Sequence, residues 1–130
     1  MKMLVTTSAN LEAAHCLRGK RYADEENYKI YGKCSNLHGH NYKLFVTVSG
    51  EPQEDGMIIN FREMKEIIRT KIVERFDHKY LNEVMQEIPT AENMCIMIWN
   101  ILEGEFNALN IELYELKLYE TDNSFVTIKK

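Results

Sequence analysis

Cys34-Ser35-Asn36-Leu37-His38-Gly39-His40-Asn41-Tyr42-Lys43-Leu44-Phe45-Val46-Thr47-Val48-Ser49 is the stretch on which the fold turns. From His40 onward, Tyr42, Leu44, Val46 and Val48 fall in one phase, and Lys43, Thr47 and Ser49 are among those in the other. That is the two-residue period of a strand with one buried face. His38 and His40 share the apolar phase, so the alternation that predicts a strand also aims two imidazoles at its protected side. Two such rings form a chelating pair, and imidazole nitrogen suits zinc. Cys34 places a thiol four residues before His38.

A catalytic zinc usually keeps three protein ligands and leaves a fourth position for water or substrate. The chain has four histidines, and the two outside this stretch differ in context. His15 follows the small-residue run Glu12-Ala13-Ala14 and is assigned to the metal. His78 directly follows Asp77 and is assigned to proton transfer. His-x-His alone is a weak signal, strengthened here by Cys34 and His15. The competing reading is a closed structural site made of His15, Cys34, His38 and His40.

The length of 130 residues is that of a single domain, 1–130, able to bury a core without staples. Cys16, Cys34 and Cys95 form an odd set without framework spacing, and MKMLVTTSAN lacks the apolar run of a signal peptide; the expected compartment is the reducing cytoplasm. No segment has the length of apolar sequence that crosses a membrane. Net charge is −4 with acids and bases mixed, which argues against nucleic acid as a partner.

Outward from the central strand, Met3 to Ser8 reads as a first strand and Arg18 to Lys33 as a long loop containing one helical turn. Asn60 is an N-cap for a helix whose apolar stripe is Phe61, Met64, Ile68, Ile72 and Phe76, ending near Asp77. Thr90 caps a second helix, with Glu92 in its first turn and a stripe through Ala91, Met94, Ile98, Ile101 and Leu102 toward Phe106 and Leu109. Ile111 to Glu120 and Phe125 to Ile128 are strands joined by Thr121-Asp122-Asn123-Ser124. In the first of these, Tyr114, Leu116, Leu118 and Glu120 share a face. An acid on the apolar phase either holds a ligand or sits past the last buried position, and periodicity leaves both open. The order ββααββ implies an α+β layer: a four-stranded antiparallel sheet with two helices packed on one face and two open edges.

With these residues in place, the chain resembles the family of 6-pyruvoyl-tetrahydropterin synthases and 6-carboxytetrahydropterin synthases. The likeness rests on seven blocks in order along nearly the whole chain: Glu12-Ala13-Ala14-His15, Tyr31-Gly32-Lys33-Cys34, His38-Gly39-His40-Asn41-Tyr42, Gly56-Met57-Ile58-Ile59-Asn60-Phe61, Asp77-His78-Lys79-Tyr80-Leu81-Asn82, Pro89-Thr90-Ala91-Glu92-Asn93 and Tyr119-Glu120-Thr121. It implies the tunnelling fold, in which three four-stranded sheets close a barrel, two trimers stack into a homohexamer and active sites lie between subunits. It implies Zn2+ on His15, His38 and His40, a catalytic thiol at Cys34, a proton-handling pair at Asp77 and His78, and a pterin anchor at Glu120. Thr90 and Glu92 are weaker candidates for pterin contacts.

The implied substrate is 7,8-dihydroneopterin triphosphate. The implied product is 6-carboxytetrahydropterin with triphosphate and acetaldehyde, in queuosine and deazapurine biosynthesis, because Cys34 stands four residues before His38, the shorter spacing typical of the carboxy-forming enzymes. The alternative is a 6-pyruvoyl product, which Asp24-Glu25-Glu26-Asn27, Asn60 and Thr121-Asp122-Asn123 resemble. A non-catalytic pterin- or zinc-binding protein is a more distant alternative.

Overall fold

In the computed structural model, which describes residues 1–130, the expected central strand is the middle of a sheet. Strand β1 (Met3–His15) pairs antiparallel with β2 (His38–Gly50) in one uninterrupted register from Met3 opposite Gly50 to His15 opposite His38. Along β2, Tyr42, Leu44, Val46 and Val48 are buried while Asn41 and Lys43 are exposed. Strand β1 runs well past the expected Ser8. Its second half carries little β-propensity of its own, and pairing with β2 supplies what composition does not.

Between the two strands, α1 (Asp24–Tyr31) and a 3-10 turn (Gly32–Ser35) replace the expected loop with its single helical turn. Asn27, 1% exposed, ties this segment together by accepting from the Gly19 N–H and donating to the Gly19 and Tyr22 carbonyls. The link is made by one side chain rather than by periodicity, so the apolar pattern does not reveal it.

After β2 come α2 (Phe61–Ile68), a π-helical segment (Arg69–Val73) and α3 (Glu74–Phe76). Asn60 caps α2, its side chain accepting from the Arg62 N–H at 2.8 Å. The apolar stripe here has a period of four: Met64, Ile68, Ile72 and Phe76 are each at most 1% exposed. A regular α-helix would rotate such a stripe about 40° off axis at each step. The wider π turn in the middle takes up that drift and keeps the row on the sheet. Phe61, by contrast, is half exposed and lies outside the stripe.

β3 (Lys79–Tyr80) follows, then α4 (Leu81–Val84) and α5 (Ala91–Asn107). Thr90 caps α5 through the Asn93 N–H, and the buried face includes Met94, Cys95, Ile98, Leu102 and Phe106; Leu109 falls beyond the helix and is exposed. β4 (Glu112–Thr121) and β5 (Ser124–Lys129) close the chain. The sheet order is β3-β1-β2-β4-β5.

The sheet therefore has five strands, not the four expected. The fifth is the two-residue β3, parallel to β1 at Ala13 and Ala14 and too short for periodicity to register. A bulge opposite Thr47 and Val48 shifts the phase of β4, so Leu113 joins Leu116 and Leu118 in the core and Tyr114 does not. One cluster of 21 buried apolar residues draws on α2, α5 and one sheet face, which is the α+β layer expected. Replacing Ile68 by Ala should cost about 2–5 kcal/mol of unfolding free energy in a urea titration, since its site is filled from sheet and helix together.

Candidate active site

The end of the β1–β2 ladder builds the histidine cluster. His15 and His38 are the last opposed pair, and His40 lies opposite Ala13, so all three rings emerge on the helix-covered face. Ala13 leaves room beneath His40, and a Cβ on Gly39 would meet the Ala13 carbonyl at 3.4 Å. Ring centroids are 4.5 Å (His15–His38), 5.1 Å (His15–His40) and 5.0 Å (His38–His40) apart. One ligand atom from each lies within 4.8 Å of the other two.

Hydrogen bonding fixes the tautomers. His15 Nδ1 is 2.8 Å from the Pro89 carbonyl and His38 Nδ1 is 2.7 Å from the Asn36 carbonyl. A carbonyl only accepts, so both Nδ1 atoms carry the proton and both Nε2 atoms present lone pairs. Those two Nε2 atoms are 3.0 Å apart. Facing lone pairs at that distance repel unless a cation lies between them. A proton is a poor candidate for that cation, because burial holds His15 below its ordinary 6.5. His40 Nε2 is buried with no hydrogen-bond partner, and burial lowers His40 as well, against a smaller upward pull from Glu120. Three imidazoles with converging ring nitrogens, two of them oriented by carbonyls, are a donor set that fits zinc.

Tyr42 underlies the cluster at 1% exposure, its hydroxyl 3.5 Å from His15 Nδ1. Burial, then the Glu120 charge, pushes its phenol far above the usual 10, so it is neutral. Glu120 lies at the rim, its Oε1 3.6 Å from His40 Nε2, beyond hydrogen-bonding distance. Cys34 is exposed on the 3-10 turn, which is pinned to the end of β1 by the Leu17 N–H on the Cys34 carbonyl at 2.8 Å. The cluster of ligand atoms contains the three histidines and not Cys34. A closed four-ligand site is not formed within the chain.

Asp77 and His78 meet by a backbone device. His78 has φ +58, the left-handed conformation, and this turn brings its Nδ1 to 2.9 Å from Asp77 Oδ2, which neighbours in regular structure cannot do. Glu12 holds both: its N–H donates to Asp77 Oδ1 at 2.8 Å, and its carbonyl accepts from the His78 N–H at 2.6 Å. The Glu12 N–H is the larger cause holding Asp77 below the usual 3.8, ahead of His78; the Asp77 hydrogen bond holds His78 above 6.5. His78 and His40 line one cleft of about 530 Å³ together with Glu12, Lys79 and Tyr80. Thr90 is engaged as the α5 cap and Glu92 is exposed one residue into the first turn.

Residues 4–130 match the family of 6-pyruvoyl tetrahydropterin synthase. The chain belongs to that family. It is 41% identical over 132 residues to the 6-pyruvoyl tetrahydrobiopterin synthase of Dictyostelium discoideum, covering 98% of this chain and 96% of the relative. It is 33% identical over 129 residues to a putative 6-carboxy-5,6,7,8-tetrahydropterin synthase of Archaeoglobus fulgidus, covering 99% and 97%. The solved structure of Caenorhabditis elegans 6-pyruvoyl tetrahydropterin synthase superimposes with a TM-score of 0.90 at 26% identity, covering 100% of this chain and 96% of that one. The family resemblance read from the seven blocks is thereby established, and with it the α+β fold of these structural neighbours.

Sequence reasoning did not find the carbonyls of Pro89 and Asn36, because main-chain acceptors carry no residue signature. Nor did it single out Glu12 as the clamp on Asp77 and His78. The paired state of those two residues has a definite pH range. Asp77 contributes stability above its ordinary 3.8, lost as pH falls through its lowered value; His78 contributes fully below 6.5, lost as pH rises through its raised value. An NMR titration should find His78 changing charge above 6.5, and Asp77→Asn should bring it down. A His78 that titrates at or below 6.5 in the intact chain contradicts the pairing.

Proposed function

We propose that the protein is a zinc-dependent lyase converting 7,8-dihydroneopterin triphosphate to 6-carboxy-5,6,7,8-tetrahydropterin, with release of triphosphate and acetaldehyde. The observation that carries the reading is the convergence of three imidazole nitrogens beside a carboxylate in a chain of this family. When bound, zinc supplies Lewis acidity that lowers the pKa of the substrate's side-chain hydroxyls and acidifies the neighbouring C–H bond. His15, His38 and His40 hold it.

Cys34, as thiolate, removes the proton from that carbon. His78, oriented by Asp77 through Nδ1, delivers or relays a proton from Nε2. Glu120 accepts two parallel hydrogen bonds from the pterin N–H and amino group, orienting the substrate beside the three histidines that would hold the metal. Thr90 and Glu92, one and three residues after the Pro89 carbonyl that holds His15, border the pterin. Elimination of triphosphate follows the proton shift, and in the carboxy branch water adds as the side chain is cleaved to acetaldehyde.

Cys34 Sγ makes no hydrogen bond within the chain, and His78 is 74% exposed at the sheet edge. The outer edges of β1 before Glu12 and of β5 are unpaired in a single chain. Both observations support a site completed between copies whose sheets join edge to edge in a hexamer. The expected setting is the cytoplasm, with no nucleic-acid partner; no helix is long and apolar enough to cross a membrane.

A second reading, the 6-pyruvoyl product, is favoured by the greater identity to the Dictyostelium relative than to the Archaeoglobus one. The shorter Cys34-to-His38 spacing favours the carboxy product. Mass spectrometry of the reaction should find 6-carboxytetrahydropterin and acetaldehyde; 6-pyruvoyltetrahydropterin without acetaldehyde establishes the second reading, and no conversion by zinc-loaded protein defeats both. Cys34→Ala should lower kcat about 10²- to 10⁴-fold with zinc content unchanged. Loss of zinc in that variant would return the thiol to the ligand set.

A further inference from the structure

The β1–β2 ladder stops at His15 opposite His38, so the main chain immediately after the buried ligand has no strand partner. Asn82 takes that place. Its Oδ1 accepts from the Cys16 N–H at 2.9 Å, and its Nδ2 donates to the Cys16 carbonyl at 2.8 Å. The side-chain amide thus satisfies both polar groups of one residue, as a paired strand would. Asn82 is itself fixed, because it lies in α4 next to Leu81, which is fully buried.

We infer that Asn82 is a positioning residue for the metal ligand His15, a role that rests on the proposed zinc site. The His15 ring is aimed by two things: its Nδ1 contact with Pro89, and the direction of its Cα–Cβ bond, set by main-chain atoms on either side. The β2 ladder fixes the side toward Ala14, and the Asn82 clamp fixes the side toward Leu17. The Leu17 N–H is held by the Cys34 carbonyl one residue further on, so loss of the clamp frees the Cys16 peptide groups between two fixed points and lets Nε2 sample directions away from the other two nitrogens. Ligation demands all three at once, so the effect falls on the metal.

The same amide serves a second purpose. Asp77 bonds the Glu12 N–H, β3 pairs with Ala13 and Ala14, and Asn82 holds Cys16, so a single run of six residues grips β1 at successive points. The proton-handling pair and the ligand His15 therefore share one frame.

The test is zinc affinity by chelator competition, independent of turnover, in the wild type, Asn82→Ala, Asn82→Asp and Asn27→Ala. Asn82→Ala should bind zinc about 10- to 100-fold more weakly. Asn82→Asp keeps the acceptor for Cys16 N–H and loses the donor, so it should fall between Asn82→Ala and the wild type. Asn27→Ala removes a buried side-chain-to-backbone clamp that bonds only Gly19 and Tyr22 and neither His15, Cys16 nor Pro89, and should leave affinity unchanged even as it lowers Tm. Wild-type affinity in the Asn82 variants, or equal weakening in Asn27→Ala, overturns the inference. Should Asn82→Ala fail to fold, wild-type affinity in Asn82→Asp overturns it alone. A wild type that binds no zinc sinks the metal site itself, whereas tight wild-type binding with no effect at Asn82 sinks only this role.

Discussion

One register decides the molecule. Thirteen successive pairs between β1 and β2 run without a bulge from the open end of the sheet to the histidine cluster. A slip of one residue would turn His38 and His40 to the other face while taking Tyr42, Leu44, Val46 and Val48 out of the core. Folding energy and ligand geometry are therefore enforced by the same choice. The apolar phase cannot be buried without also setting two imidazoles on the protected side.

That arrangement is costly in the cluster itself. Burial disfavours the charged forms of His15 and His40, and carbonyl acceptors at Nδ1 force two Nε2 lone pairs into opposition at 3.0 Å. The rest of the fold offsets the repulsion through the 21-residue core beneath and through Tyr42, whose neutral phenol adds no charge. Local frustration of this kind is stable only when the surroundings over-determine it, and it concentrates at functional sites. A divalent cation held by the three rings would remove it.

Much of this was legible in the residues because it follows from periods. The two-residue alternation after His40 gave the central strand and the side on which its rings lie; the four-residue step from Met64 to Phe76 gave the helix, though not the π turn that keeps it aligned. Thr90 and Asn60 were readable as caps because their bonds are local. What escaped were contacts made across the fold by single residues: β3 against Ala13 and Ala14, Asn27 holding Gly19 and Tyr22, the bulge that exchanges Tyr114 for Leu113. None has a period, and each depends on a partner set by tertiary packing. The candidate site divides likewise: its side chains stood out in sequence, while the carbonyls and main-chain N–H groups that orient them did not.

The two halves of the site differ in how they are held. Of the histidines, His15 is fully buried and His38 and His40 are half-buried, and carbonyl acceptors orient His15 and His38. Half-buried Asp77 and exposed His78 stand at the sheet edge, His78 in the left-handed conformation and both held by Glu12. Glu12 secures that geometry with both backbone groups, and its carboxylate adds an Oε2 3.7 Å from His78 Nε2. An edge that carries an exposed His78 hydrogen-bonded to Asp77 beside unpaired strand groups has the polar main-chain surface by which one sheet can pair with another.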